Sequence, residues 1–273
     1  MVEPVSRTRL TPAVLRSLDI LELFLDHHDG LTGAEVARLT GHPRASVHEL
    51  LATLVARGYL SRAGQTYRLG VCTLQLGNAY RESIRLPELA RRVATELVAE
   101  CGETINVGVL SGRDVVYLVK VDSPHPVRMV SSPGGRVAAA GTSVGKMLLA
   151  SVEPAELDVL LAAGWPALTE RTITDPQLLR AQLTAAHRDG IAHESGESTP
   201  EVSCAAAPVR DDSGRVVAAI SVAVPDSRWE QRPTAYWDQV VREGAAALSE
   251  LLGHPGRGRP AQAVPPATGG CGG

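Results

Sequence analysis

Two groups of residues in this 273-residue chain have types and spacings suited to chemistry. One is Gly141-Thr142-Ser143-Val144-Gly145. It matches GxSxG, the pattern that presents a nucleophilic serine on a sharp turn before a helix. Asp175 and His187 follow in the Ser, Asp, His order that such hydrolases use. Against that reading, the parallel α/β pattern that should precede the turn is missing. The same turn suits a different task, because backbone N–H groups at a helix start favour an anion such as a carboxylate. The second group is basic. Arg44, Arg57, Arg62 and Arg68 stand against a single acid, Glu49, giving a local balance of +3 in a chain of net charge −3. Cations concentrated on one short stretch are the electrostatic footprint of phosphate contact.

Other chemistries find no support. His48-Glu49-Leu50-Leu51-Ala52 lacks the second histidine of a zinc protease, and there is neither a GxGxxG turn nor a phosphate loop ending in GK[ST]. Cys72, Cys101, Cys204 and Cys271 are scattered with no CxxC pair, so neither a metal site nor a thiol redox site is expected. No cofactor is expected.

The basic group must be positioned by the stretch from Leu31 to Gly70. Thr32 precedes Glu35 by three residues, a capping-box spacing that opens a helix, with Leu31, Val36 and Leu39 on its apolar side. Gly41 stops it, and Pro43 suits the first turn of a second helix. There Val47, Leu50, Leu51, Leu54 and Val55 recur on one apolar face, opposite Arg44, Ser46, His48, Glu49, Thr53 and Arg57. Gly58 ends that helix. Tyr59 to Ser61 and Thr66 to Leu69 read as a hairpin around Ala63-Gly64-Gln65. Two short helices and a wing make a winged helix-turn-helix, a module that lays its second helix in the DNA major groove.

Upstream, Thr11 and Pro12 open a first helix with apolar residues to about His27. Downstream, residues 70–85 read as a linker helix with a dimer-forming face, and Leu86 to Cys101 as a further helix. The body alternates. Strands are expected at Thr104–Leu110, Val115–Val121, Val127–Ser131, Ile191–Glu194, Cys204–Val209 and Val216–Val224. Residues 132–141 read as loop. Helices are expected at about Ser143–Ser151, Glu153–Ala163, 174–188 and Thr234–Leu252. That is an antiparallel sheet with packed helices, an α+β arrangement. The tail from Gly253 to Gly273, rich in Gly and Pro, reads as disordered. The expected domains are therefore 1–69, 70–85, 86–252 and the tail 253–273.

Charge divides unevenly. Residues 1–85 carry ten arginines and eight acids, whereas residues 86–252 carry fifteen cations and twenty-two acids. A basic front on an acidic body suggests two tasks on one chain. The longest apolar run, Val216 to Val224, is too short to span a bilayer, and no signal segment opens the chain. A cytoplasmic location without membrane contact is expected.

The sequence resembles the IclR (isocitrate lyase regulator) family of bacterial transcription factors from about residue 13 to 252. The specific pieces are LLATLVARGYL (50–60), YRLG (67–70), GETINVGVLSGRDVVYLVKVDSP (102–124), GTSVGKMLLA (141–150), and Gly190 through Glu197 to CAAAPVRD (204–211). The resemblance implies a GAF-like C-terminal domain that binds a small organic effector, often a carboxylate or aromatic acid. It also implies a homodimer or dimer of dimers on double-stranded DNA at a pseudo-palindromic operator, with repression favoured over activation. It places Arg44, Ala45, Ser46, His48 and Glu49 toward the groove, where Glu49 either accepts from a cytosine amino group or repels phosphate. His42 replaces a usual apolar residue, or is a turn residue of no consequence. The effector pocket would comprise Met129, Val137, Ser143, Val144, Glu194, Val202 and Cys204. Met129, Val137 and Val202 would be apolar wall; Met129 and Cys204 also fit ordinary core. Glu194 and Glu201 stand where relatives often carry Asp and Gly. A serine hydrolase using Ser143 with a DNA-binding appendage, and a scaffold whose body only dimerises, stay open beside the regulator reading.

Overall fold

A computed structural model describes residues 10–83, 85–125 and 133–255. The expected strand at 127–131, Met129 within it, and the tail beyond 255 lie outside the described residues. The chain divides after Arg85 into two compact units.

The first unit runs α1 (Pro12–Leu23), β1 (Leu31–Thr32), α2 (Gly33–Thr40), α3 (Arg44–Ala56), β2 (Leu60–Ala63), β3 (Thr66–Leu69) and α4 (Val71–Ser83). The capping box at α2 forms in full. Glu35 N–H donates to Thr32 Oγ1 at 3.3 Å, and Thr32 N–H donates to Glu35 Oε2 at 2.7 Å. Gly41 ends α2 at φ 69°, a left-handed cap that glycine adopts without steric cost. Pro43 sits one position earlier than expected, as the N-cap of α3 rather than inside its first turn. Leu31 is not helical: it pairs with Tyr67 in a three-stranded sheet ordered β1-β3-β2. Ala63 pairs with Thr66 across a two-residue turn, which closes the wing. Helix α1 ends at Leu23, a turn short of His27, and Thr11 makes no side-chain cap bond. Ile20, Phe24, Val36, Val47, Leu51, Leu54, Leu60 and Tyr67 form the buried core.

The second unit contains α5 (Leu86–Cys101), β4 (Thr104–Ser111), β5 (Asp114–Val121), β6 (Arg136–Ala138), a 3-10 turn at Ala139–Gly141, α6 (Ser143–Leu149), α7 (Pro154–Ala162), α8 (Pro176–Asp189), β7 (Ala192–Ser195), β8 (Val202–Arg210), β9 (Val216–Pro225), α9 (Asp226–Trp229) and α10 (Thr234–Leu251). The six strands form one antiparallel sheet ordered β6-β5-β4-β9-β8-β7. Part of the stretch read as loop is therefore strand: β6 pairs along β5, with Val137 opposite Val115. Helices α5 and α10 pack on one face and α6 on the other, with α8 behind α6. The face toward α6 is lined by Val115, Tyr117, Ala192, Ala206 and Ala219. Gly145 lets α6 lie tight on the preceding turn, because a Cβ there would stand 2.0 Å from the Ala139 carbonyl oxygen.

The aromatic residues are few, and the three tryptophans, Trp165, Trp229 and Trp237, all lie in this unit. Trp229 and Trp237 stack at 5.6 Å, and the Arg113 guanidinium lies 4.7 Å over the Trp165 ring.

Candidate functional site

Two regions gather the residues singled out from the sequence. The first is α3 and the wing. Val47, Leu51 and Leu54 are buried, which fixes the rotation of α3 and turns Ala45, Glu49, Ala52 and Ala56 outward. These recur at i, i+4, i+7 and i+11, one stripe of a 3.6-residue helix. On one flank, Arg44 and His48 line a groove of about 540 Å³ with Arg62, Gln65 and Tyr67 of the wing. Arg62 lies 5.5 Å over the Tyr67 ring, and its Nε donates to the Gly64 carbonyl at 2.8 Å. On the other flank Ser46 accepts from Arg16 Nη1 at 3.4 Å. Arg57 is the C-cap of α3. Thirteen residues separate it from Arg44, about 20 Å along the axis at 1.5 Å each; the two cannot act on one base. Arg68 donates from Nε to the Asp29 carbonyl at 3.0 Å. His42 is no idle turn residue, since its Nε2 lies 3.0 Å from Asp19 Oδ2 and ties the α2–α3 turn to α1.

The second region lies over the α6 face of the sheet. Strand register sets Glu194, Cys204, Ala223 and Thr104 in one cross-strand row, and Ala192, Ala206, Ser221 and Asn106 in the next. The Ser143 hydroxyl and the Glu194 carboxyl both face the Cys204 thiol. Val202 packs beside Cys204 and Ala223. Val144 belongs to the core between α6 and the sheet, with Val137 at its margin. Glu194 Oε2 accepts from the Glu197 N–H at 2.9 Å, and Oε1 accepts from Ser198 Oγ at 3.0 Å. Burial pushes the Glu194 carboxyl above its usual value despite these donors. Burial likewise pushes the Cys204 thiol well up, reinforced by Glu194; such a thiol is not a nucleophile at neutral pH. Ser143, Glu194, Val202 and Cys204 thus come together. Tyr117, buried close enough for Glu194 and Cys204 to raise its phenol further, is an addition the sequence reading missed.

Also missed is a buried ion pair that holds this region. Lys146 on α6, 1% exposed, donates from Nζ to Glu197 Oε1 at 2.5 Å and to Gln182 Oε1 at 2.7 Å. Glu197 Oε2 accepts from the Ile173 N–H at 3.4 Å, and the Glu197 carbonyl accepts from Thr172 Oγ1 at 2.7 Å. The loop between β7 and β8 is therefore pinned to α6 and α8. The signal was a lysine inside the apolar run Val144 to Ala150, since lysine is almost never fully buried unpaired. Outside this loop a groove of about 610 Å³ follows the β7 edge past His193, Glu194, Ser195 and Ser203.

The hydrolase arrangement does not assemble. Asp175 is the N-cap of α8, accepting from the Gln177 and Leu178 N–H groups. His187 lies twelve residues along the same helix, about 18 Å away at 1.5 Å per residue, with its Nδ1 2.7 Å from the Ala150 carbonyl oxygen. Asp175 cannot orient that ring. The amides at the start of α6 are also partly committed: Thr142 Oγ1 accepts from the Gly145 N–H at 2.9 Å.

Residues 13–64 match the family model described as the IclR helix-turn-helix domain, and residues 78–250 match that of the bacterial transcriptional regulator IclR C-terminal domain. The HTH-type transcriptional regulator XynR of Escherichia coli is 31% identical over 246 residues, covering 89% of this chain and 98% of that protein. The HTH-type transcriptional regulator BhcR of Paracoccus denitrificans is 34% identical, covering 87% of this chain and 86% of its own. Among solved structures, an IclR homolog from Microbacterium hydrocarbonoxydans complexed with 4-hydroxybenzoate superposes with a TM-score of 0.78. It is 26% identical and covers 88% of this chain and 98% of that one.

Proposed function

The chain belongs to the IclR family of bacterial transcriptional regulators, and from that premise we propose that it is a cytoplasmic, effector-responsive repressor that binds a pseudo-palindromic operator through Arg44, Ala45, Ser46, His48, Glu49 and Arg62, with Arg57 and Arg68 toward the phosphates. The observation that carries the reading is the exposed outward stripe of α3, flanked by arginines and held from behind by Val47, Leu51 and Leu54. Residues to 69 form the DNA-binding domain, α4 the connection, and residues 86–252 the effector domain. Pairing of two chains is supported by apolar residues open to solvent at helical spacing: Val14 and Leu18 on α1, Val71 and Leu74 on α4. In a homodimer, or a dimer of dimers, two α3 helices would enter successive major grooves.

The effector is a small carboxylic acid held at Ser143, Glu194 and Cys204, with Val137, Val144 and Val202 completing the wall. Burial shifts Glu194 toward its protonated form, which lessens the repulsion that an ionised carboxylate would exert on a bound acid. The bound acid would favour one dimer geometry over another, which requires different affinity for the two.

The test is fluorescence anisotropy of the chain on its own promoter DNA. Arg44→Ala should weaken binding by about 1–3 kcal/mol and lower the salt slope by about 1; unchanged affinity and slope would refute the assignment. 4-Hydroxybenzoate and related small acids, screened by thermal shift, probe the pocket: none raising the melting temperature would overturn the carboxylate reading.

A further inference from the structure

We infer that Glu49, projecting alone from the outward stripe of α3, is the base-reading residue of this regulator and selects a cytosine while rejecting guanine. The inference rests on the DNA-binding reading above and deepens it.

The stripe opposite the buried leucines holds four residues, all exposed: Ala45, Glu49, Ala52 and Ala56. Three end in a methyl group. Only Glu49 carries polar atoms far enough from the helix axis to meet base edges on the deepest line of contact. It is the sixth residue of α3, inside the N-terminal half that a recognition helix presents to bases. The donors nearby flank this stripe and are not on it. Arg44 and His48 line the groove shared with the wing, and Ser46, on the other flank, accepts from Arg16.

Two acids of this unit, Glu35 and Asp19, have structural work, and Glu49 has none. Glu35 closes the capping box of α2, and Asp19 pairs with His42. Among the described residues no hydrogen bond or ion pair engages the Glu49 carboxylate. An uncommitted anion on the face that must approach a polyanion weakens binding unless a donor on the DNA meets it.

An ionised carboxylate only accepts hydrogen bonds. The major-groove edge of guanine offers the acceptors N7 and O6, and that of thymine offers O4, so both repel it. Cytosine offers its N4 amino group with an acceptor, O6 of the paired guanine, on one side only, whereas the adenine N6 amino group stands between its own N7 and O4 of the paired thymine. Cytosine is therefore the base that a carboxylate meets at the least penalty. Ala45 and Ala52, a turn to either side, leave room for the base edge and suit thymine methyl groups.

The experiment is selection from a random duplex library by the full chain, in parallel with Glu49→Gln and Glu49→Ala. Individual selected duplexes are then titrated at fixed salt. The wild type should enrich a half-site with one position dominated by cytosine, and guanine there should cost about 10-fold or more in affinity, within the usual 1–3 kcal/mol of a mismatched pair. Glu49→Gln should move that position toward adenine, which a carboxamide contacts through both N6 and N7, leaving other positions unchanged. Glu49→Ala should flatten it to less than about 2-fold discrimination. Identical base preferences in all three proteins, with only a general rise in affinity when the charge is removed, would overturn the inference and leave Glu49 as a phosphate repellent. Enrichment of no sequence by the wild type would overturn the DNA-binding reading and this one with it.

Discussion

Replacing Glu197 with Gln removes one charge from a pair that has almost no access to water. Lys146 is 1% exposed, and its ammonium keeps only the Gln182 side-chain oxygen and whatever oxygen the new amide presents. Removing one partner of a buried pair costs about 3–5 kcal/mol, because the survivor stays charged and desolvated. The retained Gln182 contact places this case near the lower end, about 3 kcal/mol. In a unit of this size that corresponds to a fall of about 6–12 °C in melting temperature. The assay is urea denaturation of the full chain, with Lys146→Met and the double variant Lys146→Met, Glu197→Gln completing a cycle. The double variant should recover much of the loss, since no buried charge is left unpaired. A loss under about 1 kcal/mol for Glu197→Gln alone, or a double variant as unstable as the two singles added, would refute a strut of paired charges beneath the β7–β8 loop.

Glu194 titrates in the opposite sense to a salt-bridged acid. Its folded-state value is raised above 4.5 by burial, so its favourable contribution is complete below the unfolded value and is lost as pH rises through the folded one. The stability of the wild type relative to Glu194→Gln should therefore fall from about pH 4.5 upward; calorimetric melting temperatures that keep a constant difference across that range would contradict it. Glu201 holds φ 58°, a left-handed conformation that costs a residue with a Cβ about 1–2 kcal/mol. Glu201→Gly should stabilise the chain by about 0.5 kcal/mol once the greater freedom of the unfolded glycine is counted, read as a higher urea midpoint; a lower midpoint would mean the side chain contributes more than the strain removes.

What could be read in the sequence was what is decided locally. Thr32 and Glu35 meet because they are three residues apart, and Val47, Leu51 and Leu54 share a face because the helical repeat puts them there. The hairpin follows from a turn between two short runs, although Ala63, expected in that turn, instead ends β2 opposite Thr66. What could not be read depends on partners distant in the chain. Lys146 and Glu197 are fifty-one residues apart. Strand β6 exists because β5 offers it an edge, although its own three residues sit in a glycine-rich stretch with no alternation to detect. Asp175 and His187 fit a catalytic order as letters, yet one helix holds them at its two ends. Tyr117 joins the Glu194 and Cys204 cluster through the register of β4 and β5, which shifts between Val107 and Gly108.

The placement of Trp165, Trp229 and Trp237 has an optical consequence. The DNA-facing half contains tyrosines but no indole, so the emission of this protein excited at the red edge of its absorbance reports on the effector half alone. Any small acid that quenches or shifts that signal is sensed through those three rings. A single tryptophan introduced into the wing of a variant whose three native indoles are replaced by phenylalanine would report on the other half instead.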